Sequence, residues 1–319
     1  MNIAGLRMLS TTNHRVAFIV GPTGVGKTAL SIEIAKRLDA EIISADSRYL
    51  YKGMDIGTAK PLPQQLDAIP HHLINVAEIN ENWSLAEYKE QALFILDEII
   101  RRGKLPLVVG GTGQYIRALI EGWTIPEKPA NPAMRKVLMD MAAQSGSEVL
   151  HKQLAILDPE AASKIDQRNV RRTIRALEVI LYSGERFSSQ RRRVPINFRY
   201  KIAGLTRPRK ELYQIIDNRI ENMIANGFVE EVRGLMERGY TLAHPPMSAI
   251  GYKEIAKYID GDYSLDDCIA EIKKRTRQLV RRQANWFKLE DERIRWFDVD
   301  KRTQDAIIEY FQDERGWRS

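Results

Sequence analysis

The chain has 319 residues, 44% hydrophobic and 29% charged, with a net charge of +7 and a single cysteine, Cys268. This composition excludes disordered and fibrous classes, an internal disulfide and a cysteine-based zinc site, and the length suits a core domain plus a second module. No apolar run reaches the roughly 18 residues of a membrane span and Met1 to Arg15 lacks a signal-peptide core, so a reducing cytoplasm is the expected setting, with no membrane partner.

Residues 1–14 read as a loose tail. Val16 to Gly21 is an apolar first strand, followed at once by Gly21-Pro-Thr-Gly-Val-Gly26-Lys27-Thr28 and a helix over Lys27 to Leu38. A second strand runs from Glu41 to Ala45, a helix capped by Ser84 repeats apolar residues from Leu85 to Ile100, and another strand covers Leu105 to Gly110. Short apolar strands alternating with helical periods are the mark of a parallel α/β sheet. Pro126, Pro129 and Pro132 then break the pattern, and residues 133–183 carry helical periodicity alone. Strand character returns at Arg199 to Leu205. Helices are predicted at Arg209 to Asn226, Phe228 to Arg238, Ser248 to Ile259 and Ser264 to Lys288, then a strand at Ile294 to Val299 and a helix from Thr303. The expected fold is α/β, a P-loop-type parallel sheet core over 15–122 and 198–319 with a helical insertion domain over 123–197.

The glycine loop follows the G-x-x-x-x-G-K-[ST] pattern, in which glycines let backbone N–H groups converge on phosphate oxygens while the lysine adds a point charge and the threonine a hydroxyl for Mg2+. Gly21, Thr23, Gly24, Gly26, Lys27 and Thr28 are therefore candidate phosphate ligands. Asp46 ends the second strand, where open α/β sheets hold ligands; it can serve as a metal carboxylate, as the base for a kinase acceptor or as the base for another nucleophile. At the next strand end, Gly110-Gly111-Thr112-Gly113 offers a hydroxyl and amides in place of a Walker B acid, either as an oxyanion ligand or as a plain tight turn. Basic residues cluster at 168–193 and at 273–282, the second with no acid; each is a solvated helix face or a polyanion site.

Seven ordered blocks narrow these readings. The glycine loop, Ile43-Ser-Ala-Asp46-Ser-Arg48 continuing to Tyr51-Lys-Gly-Met-Asp-Ile-Gly-Thr-Ala-Lys-Pro61, Pro70-His-His-Leu-Ile74, Gly110-Gly-Thr-Gly-Gln-Tyr115, Asn169-Val-Arg-Arg-Thr-Ile-Arg-Ala-Leu-Glu178, Ser248-Ala-Ile-Gly-Tyr-Lys-Glu254 and Thr276-Arg-Gln-Leu-Val-Arg-Arg-Gln283 resemble the bacterial tRNA dimethylallyltransferase family. The resemblance spans Val16 to about Phe297. It implies transfer of a dimethylallyl group from dimethylallyl diphosphate to N6 of adenine 37 in tRNAs reading codons that begin with U, with pyrophosphate leaving and Mg2+ as cofactor.

It also implies roles. Asp46 matches the family's base, Thr112 the position beside the diphosphate's bridging oxygen, and Lys27 and Arg219 the groups on the diphosphate. Ser47, Arg48 and Tyr49 fall where the family contacts the acceptor; Arg171, Arg172 and Arg175 in the insertion, and Arg277, Arg281, Arg282 and Gln283 near Trp286, fall where it holds the tRNA anticodon stem-loop. Tyr49 stands where the family has glutamine, Trp83 where it has tyrosine, and Ile215 in place of an arginine. The zinc finger of eukaryotic relatives is absent, and a monomer is expected. Rival readings are a P-loop small-molecule kinase, a nucleic-acid-binding NTP switch, and transfer of the same group to a free adenine nucleotide.

Overall fold

The computed structural model describes residues 14–125, 131–190 and 193–319. Most of the tail read at 1–14, Pro126, Pro129, Arg191 and Arg192 lie outside the described residues. The chain divides into two compact units, one of Met1–Ile120 with Ile196–Ser319 and one of Glu121–Pro195.

The first unit opens with β1 (Arg15–Val20), α1 (Lys27–Leu38), β2 (Ala40–Ser44), α2 (Pro63–Ala68), β3 (His71–His72), α3 (Leu85–Arg101), β4 (Leu105–Gly110) and α4 (Gly113–Ile120). The second unit holds four helices among its described residues: α5 (Pro132–Ser145), α6 (Ser147–Leu157), α7 (Pro159–Lys164) and α8 (Val170–Ser183). The chain then returns to the first unit with β5 (Arg199–Thr206), α9 (Arg209–Ala225), α10 (Phe228–Glu237), a 3₁₀ turn (Pro245–Ser248), α11 (Tyr252–Ile259), α12 (Leu265–Ala284), β6 (Ile294–Asp298) and α13 (Thr303–Gln312).

The six strands pair in the order β3-β2-β4-β1-β5-β6, every pairing parallel. A parallel sheet is covered on both faces, so its strands are apolar along their whole length rather than at alternate positions. β1, β2, β4 and β5 are buried from end to end but for their terminal residues; β1 and β4 carry the apolar runs this favours, while β2 and β5 bury Glu41 and Lys201 within theirs. β1 lies between β4 and β5, and the loops after β1, β2 and β4 emerge from the same end of three neighbouring strands. That is where an open α/β sheet forms its ligand crevice.

Local chemistry sets the helix ends. Ser84 Oγ accepts the Glu87 N–H at 3.2 Å while the Glu87 carboxylate accepts the Ser84 N–H, a reciprocal cap that starts α3. The predicted helix over Ser248 to Ile259 divides into a 3₁₀ turn and α11, because Gly251 between them has φ 94°. The helix expected to reach Lys288 ends at Ala284.

The second unit has a core of its own, with Leu138, Leu150, Leu154, Ile174 and Leu177 buried together. Fully buried Asp158 caps α7 through the Ala161 N–H at 3.0 Å and takes both the Ser188 N–H and hydroxyl at 2.8 Å. These bonds hold its carboxyl below the usual range against the opposing effect of burial.

Candidate active site

The loop after β1 turns into α1 at Gly26, whose φ of 105° places it at the helix N-cap with open space where a Cβ would stand. A side chain there would be strained by that φ, and no side chain caps the helix N-terminus. Lys27 Nζ donates to the carbonyls of Gly21 at 2.9 Å and Pro22 at 2.8 Å. Its pKa falls to about 8; burial lowers it most, the Asp46 carboxylate opposes that, and the Arg219 guanidinium adds to it. Lys27, Asp46 and Arg219, which lie 19 and 173 residues apart in sequence by their numbers, thus share one field.

Asp46 follows β2 and is half-buried. Its Oδ1 accepts the Arg48 N–H at 2.9 Å, a turn in which a short acidic side chain bonds the backbone two residues on. Thr112 ties this turn to the one after β4: its Oγ1 accepts the Ser47 N–H at 3.1 Å and its own N–H donates to the Ala45 carbonyl at 3.1 Å. The Gly110–Gly113 turn itself carries no acid.

Tyr49 is half-buried, with its hydroxyl turned toward the protein. Its hydroxyl donates to the Ala59 carbonyl at 2.7 Å and bonds the Thr28 hydroxyl, and burial, then Asp46, push its pKa up to about 12. Arg219 Nη2 donates to the Thr58 carbonyl at 3.4 Å. Both contacts lie on the segment 55–60, whose anchors the sequence reading missed. Glu231 accepts the N–H groups of Asp55, Ile56 and Gly57 at 2.9, 2.7 and 3.2 Å and the Tyr252 hydroxyl. Lys60, 9% exposed, donates to Asp55 at 2.8 Å, Asn75 at 2.6 Å and the Tyr51 carbonyl. The signal was available as the Met54-Asp-Ile-Gly-Thr-Ala-Lys60 run, but its acidic partner Glu231 is far along the chain.

The basic run on α12 is largely neutralised, by acids of other helices and by Glu271 of α12 itself. Lys273 pairs with Glu221 at 2.6 Å, Lys274 with Glu271 at 2.9 Å, and Arg275 with Glu271 at 2.8 Å and Glu254 at 3.2 Å. Arg277 pairs with Asp217 and lies 5.4 Å over the Tyr213 ring, so it fastens α12 to α9. Arg281 and Arg282 are exposed and have no ion pair among the described residues. Gln283 is buried, with both ends of its amide engaged inside the first unit. Trp286, partly buried, packs on Gly113 and lies 5.5 Å beneath the Arg117 guanidinium. Arg48 and Ser47 remain half-exposed. In the second unit Arg171 and Arg172 are exposed on α8, while Arg175 is drawn to buried Glu178 at 3.5 Å, which also binds Arg135 at 2.8 Å.

Fold and site together define an α/β protein with a six-stranded all-parallel sheet, a G-x-x-x-x-G-K-[ST] loop after β1 and a hydroxyl, Thr112, rather than an acid after β4. The sequence profile of the IPP transferase family matches residues 49–290. A tRNA dimethylallyltransferase of Thermomicrobium roseum is 45% identical over 284 residues, 89% of this chain and 86% of that protein. One of Chloroflexus aurantiacus is 48% identical over 270 residues, 85% and 91% of the two chains. The solved full-length tRNA isopentenylpyrophosphate transferase of Bacillus halodurans is similar with a TM-score of 0.69 at 37% identity, covering 93% of this chain and 95% of its own. A eukaryotic dimethylallyltransferase acting on tRNA is similar with a TM-score of 0.75 at 27% identity over 92% and 77%. The chain belongs to the IPP transferase family. It is a transferase, and no helix among its described residues is long and apolar enough to cross a membrane.

Proposed function

We propose that this protein transfers the dimethylallyl group of dimethylallyl diphosphate to N6 of adenine 37 in tRNAs reading codons that begin with U, releasing pyrophosphate. The observation that carries the reading is the meeting of Lys27, Asp46 and Arg219 beside a phosphate-type loop, with Thr112 rather than an acid after β4. Two cations suit a departing pyrophosphate and one carboxylate suits a departing proton. Adenine N6 is a weak nucleophile because its lone pair is delocalised into the ring. As N6 bonds to C1 of the dimethylallyl group, the C1–O bond breaks and its electron pair leaves with pyrophosphate. The N6 proton passes to Asp46.

Lys27, Arg219 and the first amides of α1 oppose the charge that grows on the leaving oxygens, so they act more strongly in the transition state than in the ground state. The Thr28 hydroxyl, bonded to Tyr49, is a hard oxygen donor. It fits Mg2+, which takes few protein ligands and keeps substrate phosphates and water. No group of three His, Cys, Asp or Glu among the described residues could hold a metal without the substrate. When bound, Mg2+ supplies Lewis-acid neutralisation of the pyrophosphate. Arg281, Arg282, Arg171 and Arg172 are the exposed cations offered to the RNA backbone, and repay the cost of drawing the base from its stack. Buried Cys268, its thiol raised to about 11, suits the cytoplasm, and we propose a monomer as the active form.

The deciding experiment incubates the protein with labelled dimethylallyl diphosphate and tRNA, AMP or, in parallel, ATP with candidate acceptors. Label entering tRNA at adenine 37 with Mg2+ present is the expected result. Label entering AMP alone assigns a free nucleotide acceptor, and phosphate transfer from ATP assigns a kinase.

A further inference from the structure

Gln283 sits in the last turn of α12, next to exposed Arg281 and Arg282, and its place in the chain groups it with them. Its side chain goes the other way. Oε1 accepts the Thr23 N–H at 2.9 Å and Nε2 donates to the Gly111 carbonyl at 3.1 Å, with the residue 9% exposed. A Cβ at Gly111 would stand 2.3 Å from Nε2, so the lack of a side chain there admits the amide. A carboxamide has one accepting and one donating end in a fixed plane, which lets it span two backbone groups at a set distance. One of those groups belongs to the loop after β1 and the other to the turn after β4 that presents Thr112.

We propose that Gln283 is a positioning residue of the diphosphate cradle: it sets the spacing between the phosphate loop and the Gly111 turn, and it does not bind RNA. This rests on the diphosphate reading of the loop. The Thr23 amide is spent on Gln283, so the phosphates are left to the amides further along, toward the start of α1. Small displacements of such groups are costly, because catalysis depends on their aim.

The test uses the full chain and four variants: Gln283→Met, Gly111→Ala, their double, and Arg281→Glu with Arg282→Glu. Affinity for inorganic pyrophosphate is measured by calorimetry, affinity for tRNA by filter binding over a salt series, and KM for dimethylallyl diphosphate by label transfer. Gln283→Met removes two neutral hydrogen bonds and is expected to weaken pyrophosphate about tenfold and raise that KM in proportion. Its tRNA affinity and salt slope stay at wild-type values, which also reports an intact fold. Gly111→Ala displaces the same amide, so it produces a similar loss, and the double variant is no worse than the worse single one. The arginine pair shows the reverse pattern, with tRNA weakened and pyrophosphate spared. Unchanged pyrophosphate affinity in Gln283→Met, or additive losses in the double variant, overturns the assignment. A wild-type protein that binds no pyrophosphate overturns the diphosphate reading and the assignment with it.

Discussion

At Asp46 a carboxylate lies in the field of the Lys27 ammonium, yet the proposed reaction uses the two groups differently, and single substitutions separate them. Asp46→Asn keeps the shape and the Arg48 turn but cannot take a proton. Its kcat is expected to fall by ~10² or more with diphosphate and tRNA affinities nearly unchanged. Loss of Mg2+-dependent diphosphate binding in single-turnover and equilibrium assays would instead make Asp46 a metal ligand. Lys27 acts through its charge, and that charge is held precariously. With its pKa lowered to about 8 from 10.5, the ammonium is complete below pH 8 and lost as pH rises through it, whereas a bound diphosphate favours the charged form. Diphosphate affinity is therefore expected to be flat below about pH 8 and to fall above it, with proton uptake on binding in calorimetry run in two buffers. Stability runs the opposite way. Between pH 8 and 10.5 the unfolded chain binds more protons at this lysine than the folded one, so the lysine's destabilisation fades as pH rises. Pyrophosphate affinity that does not change from pH 7 to 9.5 would place the ammonium away from the phosphates.

Among the elements, α12 shows what sequence can and cannot reveal. Its basic run was visible, but besides Glu271 on the same helix the acids that neutralise it come from α9 and α11, out of register with any local pattern. Among the described residues of the run, the exposed charges without an ion pair are therefore Arg281 and Arg282. Replacing both with Glu is expected to weaken tRNA binding across sequences and lower the log–log salt slope by roughly one for each phosphate no longer neutralised. Arg277→Ala is expected to behave differently: it undoes a half-exposed pair between helices, costs about 1 kcal/mol of stability after allowance for solvent screening, and leaves the salt slope in place. A slope that falls with Arg277 and not with Arg281 and Arg282 would reverse these roles. The sheet was most legible where its parallel strands carry continuous apolar runs, as β1 and β4 do. α4 was not, because it begins on a glycine directly after a glycine turn and is only 8 residues long. β3 has two residues, too few for any period. Of the site, the loop and its charges were readable from strand-end position; the inward turn of the Tyr49 hydroxyl, set by a bond across a loop of 10 residues, and that of Gln283, set by backbone groups distant in sequence, were not.

For the whole molecule, two separate hydrophobic cores mean that damage to one need not silence the other. Leu154, fully buried in the second unit, offers the test. Leu154→Ala is expected to destabilise that unit by about 2–5 kcal/mol. The variant should lose tRNA modification near the temperature where the unit opens, while pyrophosphate binding by the first unit persists. Hydrogen exchange resolved by peptide would show 131–183 losing protection first. Simultaneous loss of protection in both units would instead mean that they open together.

The order of the strands also has a cost in time. β1 takes β4 on one side and β5 on the other, and the whole second unit is encoded between those two partners. During synthesis the edge of β1 that awaits Arg199–Thr206 stands open from the moment Gly110 emerges, on the order of ten seconds at ribosomal speed. An apolar strand edge exposed for so long is a template for wrong pairing. Slower translation across 121–195 therefore lengthens the hazard, and the yield of folded enzyme should depend on codon speed in a segment that contributes no strand to the sheet.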